Sequence, residues 1–63
     1  MSDLKVIKIA TVKELTALSA ASIYRLMKQG TFPKQIKLGE RSSGWFLEEI
    51  YNWLKDKGNA RND

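Results

Sequence analysis

The chain has 63 residues, with 11 basic and 7 acidic side chains, a net charge of +4, and neither cysteine nor histidine. A chain of this length makes one domain and lies near the lower limit at which packed side chains alone hold a fold. The composition excludes disulfides, thiolate metal sites and histidine-based catalysis, and the chain has no apolar run long enough for a signal peptide or membrane span, so we expect a cytoplasmic protein without cofactors.

The first predicted helix covers residues 11–17. Thr11 can cap the free backbone amides of the first turn, and Glu14, three residues later, can reach back to complete a capping box. The residues at helical spacing give this helix one apolar face. They are Val12, Leu15 and Leu18.

The second predicted helix covers residues 20–29, with Ser19 as its N-cap and Gly30 as its left-handed stop, after which Pro33 prevents continuation. Because Ser19 directly follows the last apolar residue of the first helix, the joint holds only about three residues, which is typical of a helix-turn-helix. The core face is formed by apolar residues at helical spacing. They are Ala20, Ile23, Leu26 and Met27.

The opposite face of this second helix has the composition of a DNA-reading surface. Its first turn carries small residues, which let the backbone approach a groove floor, and its later turns carry cationic side chains that can reach phosphates or guanine edges. The alternative is an amphipathic helix whose polar face only meets water, but the position after a tight joint favours DNA reading. The face and its edges consist of Ala21, Ser22, Tyr24, Arg25 and Lys28.

A small hairpin is predicted next, with strands at residues 35–38 and 44–47 joined by a turn-rich loop. Arg41, at the tip of that loop, could lie across a DNA backbone or in a minor groove as part of a wing, or it could be a solvated turn residue. A two-stranded hairpin is marginal alone, so it must rest on the helices. The expected contacts are Phe32, Ile36, Leu38 and Trp45.

The third predicted helix covers residues 48–57, with Gly58 ending it and residues 58–63 forming a disordered polar tail. Its core face consists of Ile50, Trp53 and Leu54. The expected fold class is therefore α+β, mainly α: one winged helix-turn-helix domain over residues 1–57, with three helices and a two-stranded wing.

The positive charge is concentrated in one segment. Five of the 11 basic residues but only one of the 7 acidic residues lie between positions 25 and 41, so this part of the chain holds all of the net charge. A polyanion would be attracted to such a patch, although a solvated lysine-rich loop is the simpler alternative. Within the segment, Lys34 and Lys37 are expected to add phosphate contacts to those of Arg25, Lys28 and Arg41.

A series of short motifs resembles the AlpA family of small prophage regulators, which is related to MerR-like and excisionase-like winged helix-turn-helix proteins. The resemblance covers about residues 7–57 and rests on Leu18-Ser19, Ile23-Tyr24-Arg25-Leu26, Gly30-Thr31-Phe32-Pro33, Ile36-Lys37-Leu38-Gly39, Arg41, Gly44-Trp45, Glu49-Ile50 and Trp53-Leu54. It implies a DNA-binding transcriptional regulator of phage genes that acts on integrase expression and excision. It places Ala20, Ala21, Ser22, Tyr24 and Arg25 on the recognition helix and Arg41 on the wing.

The chain departs from the family pattern at two positions. Ala17 stands where the family commonly has glycine before the Leu-Ser pair, and if this position needs a positive φ, alanine costs about 1 kcal/mol. Ala20 stands where an arginine often follows the capping serine, so base reading would depend on Ser22, Arg25 and Lys28.

Several functions and partners stay open at this point. The expected partner is double-stranded DNA, bound by a homodimer or by cooperative arrays, in the bacterial nucleoid, with an integrase, a recombinase or RNA polymerase as further partners. An architectural excision factor that bends DNA would need the same fold and charge. A protein-interaction module with an acidic partner is another class, with Tyr24 and Tyr51 as anchors. No enzyme is expected, because Ser42 and Ser43 have no histidine to activate them and no phosphate-binding loop occurs.

Overall fold

A computed structural model describes residues 4–61. Three helices and three short strands follow one another along the chain. Their bounds are β1 Val6–Ile7, α1 Ile9–Thr16, α2 Ala20–Lys28, β2 Ile36–Gly39, β3 Ser42–Phe46 and α3 Leu47–Ala60. The predicted class, α+β and mainly α with a winged helix-turn-helix arrangement, is confirmed.

The strands form an antiparallel sheet in the order β1-β3-β2, so the hairpin gains a third strand that the sequence did not predict. In the register of β1 with β3, Val6 lies opposite Phe46 and Ile7 opposite Trp45. A strand of two residues is too short to show the period-2 alternation from which strands are predicted. β1 forms because it pairs with β3, which is distant in the sequence, so the residues of β1 alone do not predict it.

The first helix starts earlier than predicted. α1 begins at Ile9, with Lys8 at the N-cap and no side-chain cap, so the predicted start and capping box at Thr11 are wrong. The amide of Thr11 donates instead to the carbonyl of Lys8 at 3.0 Å. Because β1 is bonded into the sheet as far as Ile7, one residue is enough to turn the chain into the helix.

The joint between α1 and α2 has the predicted length of three residues, 17–19. The hydroxyl of Thr16 donates to the carbonyl of Val12 at 2.7 Å and accepts from the amide of Leu18 at 3.3 Å, which closes the end of α1. Ala17 adopts left-handed backbone angles, φ 61° and ψ 21°. The joint therefore does place an alanine where glycine is favoured.

Ala17→Gly is expected to raise the free energy of unfolding by about 1 kcal/mol or somewhat less, because glycine adopts a positive φ without the clash that a Cβ introduces. Thermal denaturation should show a rise of a few degrees in Tm. Ala21→Gly, at an exposed helical position with an ordinary φ, is the matched control and should lower Tm. Equal effects of the two substitutions would contradict the role of backbone strain.

Both ends of α2 show the predicted signals. The hydroxyl oxygen of Ser19 accepts from the amide of Ser22 at 3.1 Å, which confirms the N-cap. At the other end, Gly30 has φ 80° and the amide of Thr31 bonds back to the carbonyl of Leu26 at 3.0 Å. This is the closing bond of a Schellman motif, so the recognition helix is delimited by local chemistry.

Two tryptophans hold the segment between α2 and β2. The indole of Trp45 donates to the carbonyl of Pro33 at 3.0 Å, and the indole of Trp53 donates to the carbonyl of Thr31 at 2.7 Å. Phe32 is buried between them, with ring centroids 6.5 Å from Trp45 and 4.7 Å from Trp53, both edge-to-face. The prediction that Phe32 fills the core is confirmed.

The core contains one side chain or more from every helix. Its buried members are Ile7, Val12, Ile23, Phe32, Trp45 and Ile50. Leu38 was expected to join them, but it is 48% exposed, so that prediction is wrong. In the strand register Leu38 lies on the sheet face away from Trp45, and no helix covers it there.

The hairpin is tighter than predicted. A two-residue turn ends at Arg41 and β3 begins directly after it at Ser42, so the predicted start of this strand at residue 44 is wrong. Gly44 is buried within β3, and a Cβ at this position would lie 2.6 Å from Cγ1 of Val6 and 2.8 Å from the carbonyl oxygen of Ile7. The close approach of β1 therefore requires glycine here.

The third helix is longer than predicted at both ends. α3 begins at Leu47 and ends at Ala60, so the predicted stop at Gly58 is wrong and residues 58–60, predicted to be a disordered tail, are helical. One glycine inside a helix costs only about 1 kcal/mol, which the preceding turns tolerate. The last two tail positions, 62 and 63, lie outside the described residues.

Candidate nucleic-acid interface

The exposed face of α2 carries the side chains that the sequence placed there. Tyr24, Arg25 and Lys28 are exposed, as is Ala21 in the first turn. Ser22 is half-buried, and its hydroxyl oxygen accepts from the hydroxyl of Ser19 at 3.1 Å. The Ser22 hydroxyl proton is still free to donate to an external acceptor, since accepting this bond does not use it.

The wing presents one cation at its tip. The turn between β2 and β3 leaves Arg41 exposed, and Lys37 of β2, paired in register with Ser43, is exposed as well. Lys34 is exposed in the segment between α2 and β2. All three cations therefore lie at or near the wing rather than on α2.

A cleft of about 450 Å³ separates α2 from the wing. It brings Tyr24 of α2 and Arg41 of the turn to the same cavity, together with Lys8 at the start of α1. Glu40 also lines it, so the cleft has two cations and one carboxylate. The remaining lining residues are Ile9, Gln35, Ser43 and Trp45. The other predicted site residues lie outside the cleft, on α2 and around the wing.

Lys8 is the cation that the sequence did not indicate. Its ammonium donates to the hydroxyl of Ser42, the first residue of β3, at 2.6 Å, which holds the side chain beside the wing turn. The contact joins residues 34 positions apart, and it exists because β1 pairs with β3. Because β1 could not be predicted from its own residues, the position of Lys8, which follows β1, could not be predicted either. Gln35 and Ser43 also line the cleft, and no sequence pattern marked them as site residues.

The basic side chains of the interface are not neutralised from within. In the described part of the chain, none of them forms an ion pair with a carboxylate, and each is exposed. They are Arg25, Lys28, Lys34, Lys37 and Arg41. Exposed cations without internal ion pairs attract anions with repeated charge, which is the character of a nucleic-acid backbone.

Residues 4–61 contain neither a metal-binding cluster nor a helix able to span a membrane. No group of three acidic, histidine or cysteine side chains comes together there in a way that could hold a metal ion. No helix within the same range is long and apolar enough to cross a membrane.

Comparison with known proteins gives three matches to small phage and prophage proteins. Residues 5–58 match the family model described as prophage CP4-57 regulatory protein (AlpA). The DNA-binding transcriptional activator AlpA of Escherichia coli K12 is 31% identical over 62 residues, covering 89% of each chain. The uncharacterized protein ORF88 of Enterobacteria phage P4 is 33% identical over 48 residues, and the match spans 76% of this chain but only 54% of the phage protein. The chain therefore belongs to the AlpA family of prophage regulatory proteins.

Proposed function

We propose that this protein is a sequence-specific DNA-binding transcriptional regulator of phage or prophage genes. The observation that carries the proposal is one cleft lined by Tyr24 of α2 and Arg41 of the wing turn, with the exposed cations of α2 and the wing forming no ion pair within the described residues. Family membership supports it, since the E. coli relative is described as a DNA-binding transcriptional activator. Regulation of an integrase gene, and so of excision, is the target we infer.

In the proposed complex, α2 lies in the major groove. Ala21, in its first turn, has no side chain beyond Cβ and lets the helix approach the groove floor, while Arg25 and Lys28 reach guanine edges or phosphates. Tyr24 and Ser22 donate hydroxyl hydrogen bonds to backbone oxygens. Sequence reading therefore depends on few side chains.

The wing contacts the adjacent backbone or minor groove through Arg41, and Lys34 and Lys37 bind flanking phosphates. Lys8 joins this group, because its ammonium is held beside the wing turn by Ser42 and lines the same cleft as Arg41. One module of this size covers few base pairs. Useful specificity then requires a homodimer, a cooperative array, or a partner such as an integrase or RNA polymerase already on the DNA.

Arg25→Ala is expected to lower the affinity for a duplex from the gene's own upstream region by roughly tenfold to a hundredfold, because it removes an exposed cation from the centre of the reading face. Gel-shift titration measures this change, and the Tm should stay within experimental error of the wild type. Lys55→Ala, which removes an exposed cation from α3, is the control. If the Arg25 variant binds as tightly as the control, α2 is not the reading helix.

A further inference from the structure

Most of the large apolar side chains that remain exposed lie on one side of the molecule. Of the described residues, five have this character, and four of them are Leu4, Val6, Leu38 and Tyr51, at 78%, 37%, 48% and 49% exposure. The fifth is Tyr24, on the proposed DNA-binding face. Scattered apolar residues need no explanation, but a group on one face marks an interaction surface.

These side chains form a continuous patch. Val6 and Leu38 meet over Gly44, since a Cβ built there would lie 2.6 Å from Cγ1 of Val6 and 3.4 Å from Cδ1 of Leu38. Val6 also stands opposite Phe46 across the β1-β3 pairing. Phe46 in turn lines a shallow depression of about 180 Å³. Two of the exposed residues, Leu4 and Tyr51, line it too. We call Leu4, Val6, Leu38, Phe46 and Tyr51 the outer apolar face.

The outer apolar face points away from the proposed DNA-binding side. Successive residues of a strand point to opposite faces of a sheet. In β3, Ser43 and Trp45 line the cleft beside α2, so Gly44 and Phe46 lie on the other face. A partner bound to the outer apolar face would therefore cover one face of the wing strands and leave α2 and the cleft-facing side of the wing free.

The charges at the rim favour a second copy of the same chain. Lys5 and Glu48 both line the depression and both are exposed, so the rim presents one charge of each sign. A two-fold contact places the same surface on both sides, and Lys5 of each copy can then meet Glu48 of the other. A uniformly acidic or basic partner would face one repulsive charge in this rim.

We propose that the outer apolar face is a homodimer interface, closed at its rim by the reciprocal Lys5–Glu48 pairs. This inference rests on the proposed function, because DNA reading is the reason to expect a dimer. One module covers few base pairs, whereas two linked modules would read two half-sites. The contact itself needs no DNA, so it is tested on the protein alone.

Sedimentation equilibrium of the wild type over a range of concentrations should show a reversible monomer-dimer equilibrium. The double variant Leu38→Ser with Tyr51→Ser should raise the dimer dissociation constant by roughly a hundredfold or more, because each apolar contact is lost twice in a symmetric dimer. Both residues are half-exposed, so Tm at low protein concentration should change little. Tyr24→Ser, at 47% exposure on α2, is the matched control and should leave the equilibrium unchanged.

Charge reversal tests whether the partner is a second copy. Lys5→Glu and Glu48→Lys should each weaken the dimer, and the double reversal should restore it, because the reciprocal pairs are then re-formed with opposite polarity. A wild type that stays monomeric throughout, or a double reversal no better than either single one, would overturn the interface. Neither result touches the proposed DNA binding, which fails only if the gel-shift titration shows no complex.

Discussion

Trp45→Ala is expected to unfold a large part of the protein at 25 °C. The side chain is fully buried, it is the largest in the core, and its strand residue pairs directly with Ile7. Truncation of a buried Phe or Trp to alanine costs about 3–5 kcal/mol, and a core of this size rarely supplies more than that in total. Loss of the indole also leaves the carbonyl of Pro33 without its donor.

Circular dichroism during thermal and urea denaturation measures this effect. The Trp45 variant should show a much lower helical signal at 25 °C or a transition with a midpoint far below that of the wild type. Tyr24→Ala removes an aromatic ring that is 47% exposed, and its unfolding free energy should stay within about 0.5 kcal/mol of the wild type. Superimposable curves for the two variants would show that Trp45 does not hold the core together.

The same residue links stability to the candidate interface. Trp45 is buried beneath the cleft between α2 and the wing, and its bond to Pro33 fixes the segment that joins α2 to β2. Trp53 fixes the same segment from α3 through Thr31. The angle between the reading helix and the wing is therefore set by packing in the core, and DNA affinity should be lost in proportion to folding when either tryptophan is truncated.

The parts of the fold that follow from local chemistry could be predicted from the sequence. α2 is the clearest case, because Ser19 caps it through a side chain three residues from its target and Gly30 ends it with a positive φ. These signals act within a few residues and need no knowledge of the rest of the molecule. The left-handed angle at Ala17 agrees with the resemblance to a family that commonly has glycine at this position, and not with a signal in the chain itself.

The parts that depend on distant contacts could not be predicted. β1 forms only because it pairs with the edge of β3. α1 starts at Ile9 because the residues just before it are held in the sheet by this pairing. Thr11 and Glu14 satisfy the capping pattern equally well from inside a helix, so the pattern misplaced the start. Leu38 alternates correctly for a strand, yet nothing in its own segment says which face the helices cover.

The candidate site divides in the same way. Arg25 and Lys28 are assigned to an exposed face by helical periodicity alone, and their exposure agrees with that assignment. Lys8 is brought to the wing by the unpredicted strand and could only be found from the structure. Binding of DNA by any of these residues stays a prediction. The number of phosphates that they contact can be measured.

The salt dependence of DNA affinity gives the number of phosphates contacted, and we expect this dependence to be steep. The five exposed cations of the α2 face and the wing, with Lys8 as a sixth, would neutralise five or six phosphates. Each neutralised phosphate contributes about −0.9 to the slope of log affinity against log salt, which gives a slope of about −5. A fourfold rise in salt, from 50 to 200 mM, should then lower the affinity by roughly a thousandfold.

Gel-shift or anisotropy titrations of the variants at four or more salt concentrations assign the slope to residues. Lys8→Gln and Arg41→Gln should each reduce its magnitude by about 1, because each removes one released counterion, whereas Lys55→Gln on α3 should leave it unchanged. The Lys8 result is the more discriminating, since this residue was placed at the wing by its bond to Ser42 and not by any sequence pattern. If Lys8→Gln leaves the slope of log affinity against log salt unchanged while Arg41→Gln reduces it, the DNA backbone contacts Arg41 in the wing turn but no phosphate binds Lys8 in the cleft.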